Sequence, residues 1–467
     1  MNRKGRQSNT PALSEALISA MSRAKSFHME GKFAEAQKLY LKVLDNVPEY
    51  PEALYLLGVL RYQHNRDLNG AELVKRSIEL SPQRADWHNT LGNIYLVEKN
   101  FSLAVESFKN SIDLVSDDAN AWNNMGAALQ QLNRFGDAEA AYRKAVELNP
   151  DFIPALNNLG ALLSAQGRHA ESAGYLCKAI VLSPGENQSK LERGAAFYKL
   201  GRIEEAAEVY RQWTIEEPEN PIAAHLYTAC SGVNASPRAS DAFIEAKSDE
   251  YAAQFDVKME QLSYAGPALI AAALAKETAP AKRFDSLDAG CGTGLCASVL
   301  KLFSRHLTGV DLSASMLKEA AKRGLYDELV KDELTGYMLK HTARFDLIAA
   351  ADTLIYFGAL EEVVAAAWGA LRPKGLMVFT VESSGDDTDT PAFSLNPHGR
   401  YSHRRDYVSA VLKSCAFDVV SMQPATLRKE WGEPVNCLVV TARKMADDKS
   451  ADGKGVFNSI KRLFSHK

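Results

Sequence analysis

A spacing of 34 residues recurs through the first half of this chain. Prolines stand at Pro48, Pro82, Pro150, Pro184 and Pro218, with Ser116 in the one vacant slot. Small residues keep the same phase at Ala24, Gly58, Gly92, Gly126, Gly160 and Gly194. Twelve positions on come Ala36, Gly70, Ala104, Ala138, Ser172 and Ala206; four further come Tyr40, Val74, Phe108, Tyr142, Leu176 and Tyr210. A unit this short cannot bury its own apolar face, so the units must stack into an array with a concave groove. Each unit predicts two antiparallel helices. The small residues mark a close helix crossing, and the large ones fill the space between neighbouring units. Proline ends the second helix because it has no N–H to continue the hydrogen-bond ladder. Turns such as Glu30-Gly31, Gln166-Gly167 and Leu200-Gly201 separate the two helices.

On these residues the first half resembles the tetratricopeptide repeat family, in six copies over about 17–220. Residues 221–232, PIAAHLYTACSG, read as a closing helix, which gives an α-helical solenoid over 17–232. Repeats four and five contain WNNMG (122–126) and LNNLG (156–160), so Asn124 and Asn158 occupy equivalent places. This wording is similar to the repeats of O-linked N-acetylglucosamine transferases. The resemblance implies asparagines that line the groove and hold an extended protein or peptide partner by its backbone. The alternative is that Asn at this position helps the repeats pack or faces water.

Composition narrows the class. A chain of 467 residues exceeds one ordinary core, and 46% hydrophobic with 24% charged residues excludes disorder as its main state. No run approaches the ~18 apolar residues of a membrane-spanning helix. The basic start, MNRKGRQSNT, is followed by no apolar stretch, so no secretory signal is expected. Six dispersed cysteines without a CxxC pair read as buried thiols of a reducing compartment. The expectation is a cytoplasmic protein without disulfides or a metal site. The net charge is -4, yet both termini carry an excess of lysine and arginine, so the body is more acidic than that figure. An acidic body argues against nucleic acid as a partner.

After Gly232 the period stops. Residues 233–241, VNASPRASD, form a turn-rich linker, and an α/β domain is expected over 242–445. Strands are predicted at 284–289, 306–311, 345–351 and 375–382, and helices at 294–303, 313–323, 360–371 and 404–414. The segment 418–443 reads as two strands joined by a turn at Trp431–Pro434. In FDSLDAGCGTG (284–294) an apolar strand ends at Asp288, and Gly290, Gly292 and Gly294 lead onward. Glycines serve where the chain turns sharply and a ligand lies on bare backbone. The next strand ends LTGVDLS, with Asp311 at its tip, where an acid can grip both hydroxyls of a ribose.

The segments LDAGCGTG (287–294), VDLSASML (310–317), FDLIAAADTLIYFG (345–358) and LRPKGLMVFTVE (371–382) carry a resemblance to the class I S-adenosylmethionine-dependent methyltransferases, over about 245–443. It implies a Rossmann-like, mostly parallel seven-stranded sheet with a reversed hairpin at one edge. Asp288, Gly290 and Gly292 would sit beside the methionine moiety of S-adenosyl-L-methionine. Asp311 would bind the ribose and Leu312 and Met316 the adenine, with Glu333 or Asp332 near its amino group. An oxidoreductase fingerprint would need glycine where Leu295 stands. The whole chain resembles bacterial tetratricopeptide-repeat methyltransferases, which implies methyl transfer aided by partner recruitment. The rival reading is an interaction scaffold with a degenerate, non-catalytic methyltransferase domain.

Asp352 and Tyr356 follow the fourth strand, at the sheet edge where transfer would occur. In NPHGRYSHRR (396–405), His403 is a candidate proton acceptor and the arginines candidate anion binders; the alternative is a solvated loop. Tyr251, Phe255 and Tyr264 either wall the cofactor pocket or form ordinary helix core. Cys291, the variable residue of the glycine loop, reads as a packed small side chain. The ends complete the expectations. Residues 1–16 are a flexible basic segment. Residues 446–467 form a disordered tail with a short basic amphipathic helix, suited to weak peripheral membrane contact through 456–467 or to docking on a partner.

Overall fold

The computed structural model describes residues 13–65, 69–183, 188–233, 235–385 and 389–445. Residues 1–12 and the tail helix expected at 456–467 lie outside the described residues. The chain divides into two compact units, 1–184 and 185–467.

Among the described residues the first unit holds five helix pairs: α1 (Glu15–Met29) with α2 (Phe33–Asn46), α3 (Pro51–Asn65) with α4 (Asn69–Leu80), α5 (Ala85–Val97) with α6 (Phe101–Leu114), α7 (Ala119–Gln131) with α8 (Phe135–Leu148), and α9 (Ile153–Ala165) with α10 (His169–Leu182). The 34-residue phase has a direct steric cause. A Cβ on Gly92 would stand 2.5 Å from the Phe108 ring, and one on Gly126 would stand 2.7 Å from Tyr142. The large residue therefore lies over the glycine of its own pair. It also reaches the next one: Tyr142 shares a buried cluster with Leu159, Leu162 and Leu163 of α9. The turns within pairs use the left-handed region, which glycine enters without strain. Gly31 (φ 74°) and Gly167 (φ 77°) do so, and Lys99 (φ 62°) and Asn133 (φ 59°) hold the same phase in the pairs between.

The second unit begins with a sixth pair, α11 (Lys190–Lys199) and α12 (Ile203–Glu216), and the closing helix α13 (Pro221–Ser231). Next come α14 (Asp241–Tyr251), α15 (Phe255–Gln261) and α16 (Gly266–Glu277). The sheet is built from β1 (Phe284–Ala289), β2 (Ser304–Asp311), β3 (Glu328–Lys331), β4 (Phe345–Ala350), β5 (Leu371–Ser383), β6 (Phe393–Leu395), β7 (Tyr401–His403), β8 (Phe417–Glu430) and β9 (Glu433–Lys444). Between strands lie α17 (Ala297–Leu300), α18 (Ala314–Lys322), α19 (Leu334–Lys340), α20 (Glu361–Ala370) and α21 (Arg405–Ser414).

Strands β3-β2-β1-β4-β5 run parallel in that order; β9 pairs antiparallel with β5, and β8 pairs antiparallel with β9 beyond it. These are the seven strands the resemblance implies. Among the described residues the sheet has nine, because the short hairpin β6–β7 adds to β5 where Glu382 pairs with Ser402. The strands alternate faces as a sheet covered on both sides must. Ile348, Met377 and Phe379 point into one core with α20 and α21, while Leu347, Leu376 and Val378 point into another with α16 and α17. The helix expected at 294–303 shrinks to α17, since the glycine loop runs on in turns to Cys296.

The segment expected to be a linker is bonded into this unit. Arg238 forms an antiparallel bridge with Phe357, the Pro237 carbonyl accepts from Gly358 N (2.8 Å) and Ala359 N (2.9 Å), and Ala239 N donates to Tyr356 O. The contacts divide the chain at 184/185, whereas the change of residue pattern falls at 233–241.

Candidate active site

A cavity of about 250 Å³ opens at the C-terminal ends of β1, β2 and β4. Strands in an open parallel sheet leave such a crevice where their order reverses, here between β1 and β4. The glycine loop forms one wall. Gly290 (φ 71°) and Gly292 (φ 53°) both need the left-handed region. A Cβ on Gly290 would stand 2.3 Å from Thr353, so that glycine permits close packing of the loop. Around Gly292 nothing lies within 4 Å of the Cβ position, which leaves bare backbone facing open space.

Asp311 closes this wall at the end of β2. Its Oδ2 accepts from Gly292 N and its Oδ1 from Ser313 N, both at 2.9 Å. Burial pushes its pKa up, against those amides, which favour the charged form. Asp288 is buried beneath the loop and accepts from the Tyr326 hydroxyl at 2.6 Å. Burial raises Asp288 to about 7; the Tyr326 hydrogen bond opposes the shift and the Asp311 charge adds to it. Leu312 and Met316 line the same wall. So does Asp332, bonded to Lys340 at 2.8 Å. Glu333 does not line the cavity: its carboxylate caps α19, accepting from Thr335 N and Gly336 N, and pairs with Arg238 at 3.0 Å. Of the two acids considered, Asp332 is the one that lines the cavity.

The facing elements carry a cluster of five charged groups. Arg428 on β8, 3% exposed, gives Nη1 to both oxygens of Asp352 at 2.7 Å and Nε to Glu430 at 2.7 Å, and Nη2 bonds Glu382. Arg400 bonds Glu382 at 2.7 Å and both oxygens of Glu430 at 2.8 and 2.6 Å. Three carboxylates thus surround two guanidinium groups. Burial and then the two arginines act oppositely on Glu430, and the arginines win, leaving it at about 2. On Asp352 burial wins over Arg428, and its pKa is raised. Asp352 also sits at φ 58°, a strained backbone for a non-glycine residue, with its N–H held by Thr380 at 2.8 Å. Tyr356 lines the cavity, and burial, with the Asp352 charge, pushes its phenol to about 12.

His403 is not at the cavity. It is fully buried, its Nε2 lies 3.1 Å from the Gly358 carbonyl, and burial lowers it to about 4. A shielded, neutral ring of this kind cannot collect a substrate proton. The segment around it is no solvated loop either, since Arg400 faces the cavity and Tyr401 bonds Ser236 O. Tyr251, Phe255 and Tyr264 all line the cavity, as does Lys247, which burial lowers to about 8. Cys291 is buried with its thiol pushed up, as a packed side chain should be. The sequence reading missed Arg428, Glu382 and Glu430. A signal existed: Arg428 and Glu430, two apart in a strand, share one face, and two charges on one face of a strand facing the core need partners.

In the first unit Asn124 and Asn158 are half-buried and tied to other asparagines. Asn124 Nδ2 donates to Asn93 Oδ1 (3.0 Å), Asn123 Nδ2 to Asn124 Oδ1 (3.3 Å), and Asn158 Nδ2 to Asn123 Oδ1 (2.9 Å). The amides thus run in a chain across α5, α7 and α9.

Comparison with known proteins agrees with both halves. The family model of a methyltransferase domain matches residues 287–379. Models of the tetratricopeptide repeat match 23–85, 119–152 and 141–173. A malonyl-[acyl-carrier protein] O-methyltransferase of Enterobacter lignolyticus (strain SCF1) is 34% identical over 102 residues, or 22% of this chain. The chain spans 40% of that relative's length. Among solved structures, that of MamA protein is 24% identical, with a TM-score of 0.34, over 36% of this chain and 93% of that one. A structure of Pseudomonas aeruginosa pilF is 16% identical, with a TM-score of 0.36, over 44% of this chain and 93% of that one.

Proposed function

We propose, for a chain that joins tetratricopeptide repeats to a methyltransferase domain, that it is an S-adenosylmethionine-dependent methyltransferase whose repeats recruit a protein or peptide partner. The observation that carries the cofactor reading is the bare backbone at Gly292 beside the half-buried Asp311. Each Asp311 oxygen spends one lone pair on a backbone amide and keeps another for a ribose hydroxyl. Leu312 and Met316 offer an apolar surface to a base, and Asp332 an acceptor for its amino group. When bound, S-adenosylmethionine supplies an activated methyl group.

The chain's own contribution is orientation and exclusion of water. Asp352 is held through both its oxygens by Arg428 Nη1, so it serves as a fixed acceptor of hydrogen bonds rather than a loose base. Tyr356, protonated at neutral pH, donates a hydrogen bond to the acceptor molecule. Tyr251, Phe255 and Tyr264 shield the cavity from solvent. The activity named for the Enterobacter relative makes an acid linked to an acyl-carrier protein one acceptor to try.

Calorimetric titration with S-adenosylmethionine tests the cofactor reading. Asp311→Ala removes two charge-assisted hydrogen bonds and should weaken binding by ~2–4 kcal/mol. Unchanged affinity would overturn the assignment, and no binding by the unaltered chain would favour a scaffold without catalysis. The recruitment reading rests on Asn124 and Asn158, whose carbonyl and amide groups retain hydrogen-bonding capacity beyond the asparagine chain. Replacing both with Ala should weaken capture of the repeats' partner about tenfold, at ~1 kcal/mol per amide, and leave cofactor affinity alone. Equal capture would make them packing residues.

A further inference from the structure

Helix α13 reaches the cavity wall through a single turn of chain. On it, His225 stacks against Phe243 of α14, ring centroids 3.8 Å apart at 23°. His225 Nε2 lies 2.9 Å from the Gly399 carbonyl oxygen. A carbonyl only accepts, so Nε2 carries the proton and donates it. From the same helix, Cys230 Sγ stands 3.6 Å from the Pro397 carbonyl. A Cβ on Gly399 would stand 3.1 Å from Leu226 and 3.3 Å from His225, so this turn lies flush against α13. The turn also closes on itself, with Gly399 N donating to Asn396 O and Asn396 N to Arg400 O. The next side chain, Arg400, enters the cavity wall and grips Glu382 and Glu430.

We propose that His225 is a positioning residue: by bonding the Gly399 carbonyl it fixes the turn that carries Arg400, and so sets the charged wall against which the methyl acceptor lies. The inference rests on the cavity being the methyl-transfer site. Its consequence is that acceptor recognition depends on the closing helix, outside the sheet and its glycine loop. The lever is short. Arg400 follows Gly399 directly, and its guanidinium shares both of its carboxylates with Arg428, which holds Asp352.

The test follows hydrogen exchange of arginine Nε–H groups by NMR, in the full chain labelled with ¹⁵N-arginine and saturated with S-adenosylhomocysteine. The Arg400 signal is assigned by its loss in Arg400→Lys. His225→Phe keeps a ring against Phe243 and removes the donor; His225→Gln keeps an N–H donor. One hydrogen bond lost predicts exchange at Arg400 about fivefold to tenfold faster in His225→Phe, and near the original rate in His225→Gln. Arg428 exchange and calorimetric affinity for S-adenosylhomocysteine should stay unchanged in both. Unchanged exchange at Arg400 in His225→Phe overturns the proposal. So does an equal acceleration at Arg428, which would mean general loosening. If the unaltered chain fails to bind S-adenosylhomocysteine, the cavity reading falls, and the exchange rates measured without it still decide whether His225 holds Arg400.

Discussion

Arg428→Met isolates the electrostatics of the charged wall. The substitution keeps much of the side chain's apolar volume and removes the guanidinium that serves Asp352, Glu382 and Glu430 together. Asp352 then loses the Nη1 group that holds both its oxygens, and the other two carboxylates are left to share Arg400. Breaking a buried pair from one side typically costs ~3–5 kcal/mol, because a charge stays buried without compensation. That is a large part of the ~5–15 kcal/mol that holds a domain together. The pH dependence gives the mechanism a sign. In the unaltered chain burial raises Glu430 and the two arginines pull it down to about 2. Its folded-state pKa lies below the unfolded value, so the stability it adds is present above ordinary carboxylate pKa values and lost as pH falls through about 2. Without Arg428 the pull on all three carboxylates weakens, and their folded pKa values rise. An acid with a raised folded pKa favours the folded state at low pH and costs stability as pH climbs through that value. The penalty of Arg428→Met in urea denaturation should therefore be largest near pH 8 and shrink toward pH 5. Adding Asp352→Asn should recover part of it. A penalty below ~1 kcal/mol at pH 8, or one equal at both pH values, would refute this account of the wall.

Asp288 offers a second titration. Its folded pKa of about 7 lies above the ordinary value, so its contribution to stability is lost as pH rises through 7. Asp288→Asn cannot ionise, and its melting temperature relative to the unaltered chain should climb between pH 5.5 and pH 8.5; a constant difference would contradict the burial argument. Truncation tests the boundary: fragment 185–467 should keep cofactor binding, whereas 235–467 loses His225 from Phe243 and should melt at lower temperature. Equal melting temperatures would favour a boundary at 233–241.

What could be read from the chain divides by the range of the interaction. Each mark of the repeats is local: Gly126 and Tyr142 meet within one helix pair, so a fixed spacing exposes them. The glycine loop is likewise read within one turn, and Asp311 returns to it through Gly292 N because β1 and β2 are parallel neighbours. The left-handed turn position shows the limit of residue-type reading. Glycine announces it at 31 and 167, but Lys99 and Asn133 occupy it without such a mark, held there by the helices on either side.

The charged wall is marked locally only by Arg428 and Glu430 two apart on β8, and its other members come from distant segments. Arg428 and Asp352 are 76 residues apart, and only the strand order β4-β5-β9-β8 brings them to one site. A strand such as β8 at the sheet edge is expected to carry charge toward water, so Arg428 and Glu430 read as solvated until Arg400 arrives from a different loop. The same blindness misplaced His403. In sequence it stands three residues from Arg400, yet strand alternation and the β6–β7 hairpin send Arg400 to the cavity and His403 to the Gly358 carbonyl. A polar cluster in a loop therefore identifies the region of an active site. Which of its members face the substrate is decided by the strand register beneath the loop, and here that register selects the arginine over the histidine.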